Sequence, residues 1–316
     1  MLIPIVLLFL GFAILLFGAD WLVKGASSLA KRFNVPEIVI GLTVVAFGTS
    51  TPELCVNFIS NLNGATDLCF GDPVGSNIFN ILIVLGLTVL ICPINVKKAT
   101  VWKEIPFSLL AAGVVLLLAN DAWFKAGAVN SLNRLDSVIM LLLFGVFLIY
   151  TRQLAKKGEV EVSDVKVYSL LITFGAIVAG LAGLILGGKI VVTNAVMIAT
   201  KLGVSQQIIG LTIVAAGTSL PELATSITAA LKKHPDIAIG NVVGSNIFNI
   251  LLILGASSMV KPLPYHISFN TDFYMVFIVT VILFIYMFIH SRYRLNRWQG
   301  GLFVLMYIAY VINLLK

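Results

Sequence analysis

Charge is what this 316-residue chain has least of: 11% of its residues are Asp, Glu, Lys or Arg, where a soluble domain carries about 25%. With 59% hydrophobic residues it cannot present a water-facing surface all round, so a soluble fold is excluded and a polytopic membrane protein is expected. Cysteine and histidine are scarce, three of each. Cys55, Cys69 and Cys92 lie in or beside apolar segments without metal-ligand spacing and read as small lipid- or core-facing residues. His234, His266 and His290 sit at segment ends and form no ligand cluster. Low-complexity tails are lacking, and there is no room for a soluble regulatory domain. The first stretch, Met1 to Phe17, lacks the basic region of a signal peptide and reads as structural. The net charge of +7 is dispersed in short clusters between apolar runs, so no nucleic-acid partner is expected.

What is there is a repeat. Gly41-Leu-Thr-Val-Val-Ala-Phe-Gly-Thr-Ser-Thr-Pro-Glu53, continuing to Gly75-Ser-Asn-Ile-Phe-Asn-Ile-Leu82, recurs as Gly210-Leu-Thr-Ile-Val-Ala-Ala-Gly-Thr-Ser-Leu-Pro-Glu222, continuing to Gly244-Ser-Asn-Ile-Phe-Asn-Ile-Leu251. The offset is 169 residues, ungapped from Gly41 to Gly86, with 25 identities in 46 positions. Gly18 aligns with Gly187 at the same offset, so the duplication reaches beyond the motifs.

Apolar runs bounded by charged or turn-forming residues predict ten membrane-spanning helices: 2–30, 36–62, 67–91, 99–119, 134–153, 168–200, 205–231, 236–260, 270–290 and 297–315. They divide into a first five-helix repeat (1–155), a short charged cytoplasmic linker (156–166) and a second five-helix repeat (167–316). The fold class is an all-α membrane protein. Because five is odd, two copies of the unit must insert with opposite orientation, as an inverted repeat. With the N-terminus outside, fourteen basic residues, among them Lys97, Lys98, Lys103, Arg152 and Arg292, fall on the cytoplasmic side against five opposite. That bias predicts both termini outside a plasma (inner) membrane.

A proline inside a membrane helix lacks an N–H and clashes with the carbonyl four residues earlier. For Pro52 that carbonyl is Gly48's, and for Pro221 Gly217's. A glycine there lets the backbone open, and unpaired carbonyls at membrane depth are tolerated only inside protein or along a watery cavity, so a discontinuous helix offering carbonyl oxygens is expected. A kink that merely serves packing, with Ser and Thr satisfying the freed backbone, is the ordinary account of one such helix. Two copies, each with a glutamate directly after the proline, argue for more: Glu53 and Glu222 are costly in lipid and belong near the midplane of two opposed halves. A pair of protonated acids bonded to their neighbours is the other state open to them. Thr49, Ser50 and Glu53 with backbone carbonyls make the oxygen set that hard cations select.

The second constellation is Gly71-x-x-x-Gly75-Ser76-Asn77-x-x-Asn80, matched by Gly240-x-x-x-Gly244-Ser245-Asn246-x-x-Asn249. The small-xxx-small spacing admits close helix approach. Ser76 and Asn80, four apart, share a face, assigned to the ion site, with Asn77 and Asn246 as helix–helix hydrogen-bonders. Elsewhere, Asp20 and Lys24 are spaced to pair, Lys24 and Lys189 to snorkel, and Asp67 and Asp236 to cap helices.

At these residues the chain resembles the sodium/calcium exchanger family of the cation/calcium antiporter superfamily, in a form without a large cytosolic loop. The two repeat regions match closely and the ten-span layout more loosely. The resemblance implies a secondary transporter rather than an enzyme, with no cofactor and no obligate protein partner: an antiporter exchanging Na⁺ for Ca²⁺ by alternating access. A Ca²⁺/H⁺ exchanger is the alternative. It implies as cation ligands Ala46 (carbonyl), Thr49, Ser50, Glu53, Ser76 and Asn80 in the first half, and Ala215 (carbonyl), Thr218, Ser219, Glu222, Ser245 and Asn249 in the second. Three departures stand out. Some relatives carry Asp at the position of Asn249, and its absence argues against K⁺ coupling. Lys189 replaces an acidic residue. Asp72-Pro73 stands where an Asn-containing pair is usual (compare Asn241-Val242); Asp72 reads as capping a bent helix, with a third carboxylate near the site as the other reading.

Overall fold

The computed structural model describes residues 2–124, 129–157, 166–203, 215–289 and 292–314. The apolar runs become helices close to where hydropathy places them: α1 Leu2–Arg32, α2 Glu37–Thr49, α3 Thr51–Leu62, α4 Thr66–Ile91, α5 Thr100–Ala119, α6 Arg134–Lys156, α7 Leu170–Lys201, α8 Leu220–Leu231, α9 Pro235–Val260, α10 Phe269–Tyr286 and α11 Arg297–Leu314. Among the described residues seven helices are long and apolar enough to cross a membrane, or eight if the bent pair α2–α3 is one span. The start of the expected span 205–231, the Gly210 end of the second motif, and most of the 156–166 linker lie outside the described residues, as do Lys125, His290 and Lys316.

Burial sorts the helices into two classes. Over their most apolar windows α9 is 94% and α4 72% buried, against 28% for α1 and α7. The repeat-bearing helices α4 and α9 thus form the centre, while α1 and α7 lie against one side of it as a long pair. That pair has almost no side-chain layer between its backbones. A Cβ on Gly180 would stand 2.6 Å from the Leu22 nitrogen and 2.8 Å from the Gly18 carbonyl oxygen, and one on Gly187 would stand 2.6 Å from the Leu15 nitrogen. Small residues substitute for a hydrophobic driving force between helices in lipid by letting dispersion contacts form along the whole seam. The outer faces of the pair expose Phe9, Phe17, Leu171 and Phe174, as lipid-facing surfaces do.

The long helices are not uniform. Wider π-helical turns occupy Gly41–Val45, Asn80–Leu85, Thr100–Glu104 and Phe248–Ile253. The Asn80–Leu85 and Phe248–Ile253 turns fall at nearly equivalent places in the two repeats, and such turns re-aim side chains, often at functional positions. An all-helical expectation misses two small ladders. Ile94–Asn95 (β1) pairs antiparallel with Arg294–Leu295 (β4), and Ser131–Leu132 (β2) with Leu263–Pro264 (β3). Each ladder joins a strand of one half to a strand of the other.

Several charges are placed differently from expectation. Neither Asp67 nor Asp236 caps a helix: Ala65 and His234 hold the cap positions without side-chain bonds, and Asp236 pairs with Lys97 at 2.6 Å. Asp20 does pair with Lys24, at 2.6 Å, and also with Lys232 just beyond α8. Lys189 is exposed, in keeping with snorkelling.

Candidate cation site

Two serines break the chain in the same way. Ser50, between α2 and α3, has φ −82° and ψ 6°, and Ser219, ahead of α8, has φ −88° and ψ 6°. Both lie in the bridge region that interrupts a helix, and the first break bends the chain by 45°. Pro52 and Pro221 then fall in the first turn of α3 and α8, where a missing N–H costs nothing. The prolines thus start helices rather than kink continuous ones. Gly48 and Gly217 serve close packing: a Cβ on either would lie 2.4 Å from a side-chain carbon of α7, Leu181 for Gly48 and Val192 for Gly217.

The breaks deliver the glutamates to the interior. Glu53 is 1% and Glu222 0% exposed. Glu222 Oε1 accepts from Ser50 Oγ of the opposite half at 3.2 Å and from Ser245 Oγ at 3.4 Å. Ser219 reaches toward Glu53 without closing a hydrogen bond. Thr49 Oγ1 donates to Asn241 Oδ1 at 3.0 Å, and Thr218 Oγ1 to Asp72 Oδ1 at 3.2 Å, a second pair of matched contacts across the halves. The Ala46 carbonyl accepts from the Ser50 N–H at 3.0 Å, and the Thr49 oxygen lies 3.3 Å from it, so the one Thr49 hydroxyl proton can turn to either Asn241 Oδ1 or this carbonyl. Ala215 opens the helical turn Ala215–Gly217.

α4 and α9 are tied by four bonds in a closed exchange. Asn77 Nδ2 donates to the Asn246 carbonyl at 3.1 Å and Asn246 Nδ2 to the Asn77 carbonyl at 3.4 Å. Asn80 Nδ2 donates to Asn246 Oδ1 and Asn249 Nδ2 to Asn77 Oδ1, each at 3.1 Å. Asn77 and Asn246 are helix–helix bonders, as expected. The arrangement turns the amide oxygens of Asn80 and Asn249 away from the seam. The small-xxx-small expectation is met at Gly240 and Gly244, whose added Cβ atoms would stand 3.0 Å from the Ile38 carbonyl oxygen and 2.7 Å from Ala46 Cβ. Gly75 has no such neighbour among the described residues.

The candidate ligands carry unpaired atoms. Both carboxylate oxygens of Glu53, Glu222 Oε2, Asp72 Oδ2, the hydroxyls of Ser76 and Ser219 and the amide oxygens of Asn80 and Asn249 are buried without a hydrogen-bond partner among the described residues. Each of these is an oxygen. Glu53 and Glu222 are both buried, so the acids sit in a low-dielectric interior. Leaving such groups unpaired costs several kcal/mol each, and a hard cation is the species that satisfies oxygens alone. Among the described residues no three His, Cys, Asp or Glu side chains gather as a metal cluster; the donor set is two glutamates with hydroxyls and amides. Sequence reasoning missed Asn241 and Ser226 as supports: Asn241 Nδ2 donates to the Glu222 carbonyl at 3.3 Å and Ser226 Oγ at 3.0 Å. It also misplaced Asp72, which sits within α4 and not at its end, bonded to Thr218.

The profile of the family described as sodium/calcium exchanger protein matches residues 3–152 and 172–316. The chain belongs to the sodium/calcium exchanger family. It is 28% identical to the sodium/calcium exchanger MaX1 of Methanosarcina acetivorans, over 98% of this chain and 97% of that protein. It is 35% identical to the inner membrane protein YrbG of Escherichia coli, over 89% and 88%. A solved structure of the sodium-calcium exchanger NCX_Mj, soaked with Na⁺ and Sr²⁺, superposes with a TM-score of 0.83 at 33% identity, covering 98% of each chain.

Proposed function

We propose that this chain is a secondary antiporter that exchanges Na⁺ for Ca²⁺ across an inner membrane by alternating access, and that the twelve residues named from the resemblance form its cation ligands. The observation that carries this reading is the buried set of unpaired oxygens around Glu53 and Glu222. The two glutamates supply a charge of minus two, which one Ca²⁺ or two Na⁺ neutralise. The ions therefore compete for the same oxygens, and competition at one site is what couples their movements. Ser50 on Glu222 makes the first half contribute to the second half's carboxylate, so the site exists only when both repeats are assembled.

The reading includes ten crossings as two inverted five-helix repeats, 1–155 and 167–316, joined by the linker 156–166, with both termini outside. Matched backbone breaks at Ser50 and Ser219, the reciprocal asparagine bonds and the cross-half strand ladders support it. Alternating access follows if α1 and α7 slide as a unit over the central bundle. Their contact with that bundle runs past Gly48 and Gly217, the glycines directly ahead of the ligand-bearing breaks, so movement of α7 and rearrangement of the site are mechanically joined.

The test is ⁴⁵Ca²⁺ flux in proteoliposomes with imposed gradients of Na⁺, H⁺ and K⁺ in turn. Ca²⁺ movement driven by Na⁺ and insensitive to K⁺ is expected. Flux driven by a pH gradient alone makes the chain a Ca²⁺/H⁺ exchanger. Ca²⁺ passage with no counter-ion makes it a channel.

A further inference from the structure

The repeats match so closely around the site that one mismatch stands out. Asp72 and Asn241 are equivalent positions, and each accepts a bond from a threonine of the other half, Thr218 and Thr49. Beyond that contact they diverge. Asn241 uses its N–H₂ to donate to Ser226 Oγ and the Glu222 carbonyl. Asp72 has an oxygen in that place, and this Oδ2 is buried without a hydrogen-bond partner among the described residues. Its neighbour has changed as well. Ser226 donates to the Ala238 carbonyl at 3.5 Å, and its equivalent, Asn57, donates through Nδ2 to the equivalent carbonyl, Cys69, at 2.8 Å. Asn57 thus occupies Ser226's station. Its Oδ1, in the acceptor role that Ser226 fills toward Asn241, finds no donor among the described residues although Asn57 is 0% exposed.

One half of the molecule therefore closes this spot with a donor–acceptor pair, and the other leaves Asp72 Oδ2 and Asn57 Oδ1 each without a partner among the described residues. We infer that Asp72, with the Asn57 amide oxygen and the Thr218 hydroxyl, forms a monovalent-cation subsite on the first-half wall of the transport cavity, for which the second half has no counterpart. A cation resolves both orphan acceptors at once. One carboxylate with neutral oxygens balances a single positive charge, which selects Na⁺ over a divalent. This inference rests on the reading of the cavity as a transport site.

The experiment is equilibrium ²²Na⁺ binding to the full chain in nanodiscs, comparing wild type with D72N, with ⁴⁵Ca²⁺ binding measured in parallel. D72N places at Asp72 the residue that Asn241 already shows to be compatible with this geometry, and D72S serves as the second charge-removing variant should D72N not fold. One fewer Na⁺ bound per chain is expected, with Na⁺ half-saturation raised about tenfold. D72N/N241D, which moves the acid to the second half, is expected not to restore the lost Na⁺, because Ser226 offers no amide oxygen. Wild-type Na⁺ binding that persists in number and affinity in D72N or D72S overturns the subsite alone. A wild type that binds no Na⁺ overturns the subsite together with the exchanger reading.

Discussion

Asn77 and Asn246 each donate a side-chain hydrogen bond to the other's backbone carbonyl, at 3.1 and 3.4 Å, across the seam between α4 and α9. A backbone carbonyl has two lone pairs and can accept a side chain besides its helical donor, so each asparagine fastens the seam within one turn ahead of a π turn. The same two side chains orient Asn80 and Asn249 through their Oδ1 atoms. N77A removes two bonds from a buried network and strands the amide of Asn249. It is expected to cost about 2 kcal/mol, read as a shifted midpoint of unfolding in mixed detergent micelles. N246A is expected to cost the same amount by the repeat relation, and a pair of variants with unequal losses counts against that relation.

The glutamates are expected to be indispensable separately. Glu53 has no hydrogen bond to either oxygen, whereas Glu222 keeps two donors on Oε1. Removing one charge from a buried cation site costs about 3–5 kcal/mol. E53Q and E222Q are each expected to lower Na⁺-driven ⁴⁵Ca²⁺ flux at least a hundredfold, on the order that energy implies. The folded yields should differ in the other direction: E53Q relieves an acid with no partners and is expected to raise thermal stability more than E222Q does. Undiminished flux in both variants rejects the ligand assignment.

How much of this was legible in the sequence follows from what repeats and what does not. Glu53, Glu222 and the Ser-Asn pairs were readable because polar groups in apolar runs are expensive, and duplication makes chance a poor account of them. Helix positions were readable because hydropathy fixes a span to within a turn. Asp72 was misread as a cap: its environment depends on Thr218, 146 residues away, and no local pattern encodes that. Asp236 was likewise given a local role, when its partner is Lys97 from the other half. The prolines point to a discontinuous helix and the break is there, although the residue that leaves helical geometry is the serine two positions before each. The β ladders join two-residue strands, too short to leave a period-2 signature.

Gly48 and Gly217 meet the same helix but different side chains, which separates two predictions. An added Cβ at either lies 2.4 Å from a carbon of α7. At Gly48 that carbon is the end of Leu181, which can swing aside. At Gly217 it belongs to Val192, whose branched side chain holds one rotamer in a helix. G217A is therefore expected to pay the overpacking cost of roughly 1–3 kcal/mol and to slow exchange more than G48A. V192A in the G217A background should restore both stability and rate, and failure of that rescue means the contact does not limit movement.

Asp20 carries the last prediction. It pairs with Lys24 on its own helix at 2.6 Å and with Lys232 at the end of α8, so it fastens the outer pair to a ligand-bearing helix. The side chains are partly exposed, 29% for Asp20 and 27% for Lys232, and a pair so placed stabilises by at most about 1 kcal/mol. D20N is accordingly expected to leave unfolding nearly unchanged. If α1 shifts against α8 during exchange, the pair must break in every cycle, and D20N is expected to raise turnover two- to fivefold at low ionic strength, an effect on the order of that small energy. Added choline chloride screens exposed charges and should speed the wild type toward D20N without affecting the variant. Equal turnover of both proteins at every ionic strength removes Asp20 from the moving interface.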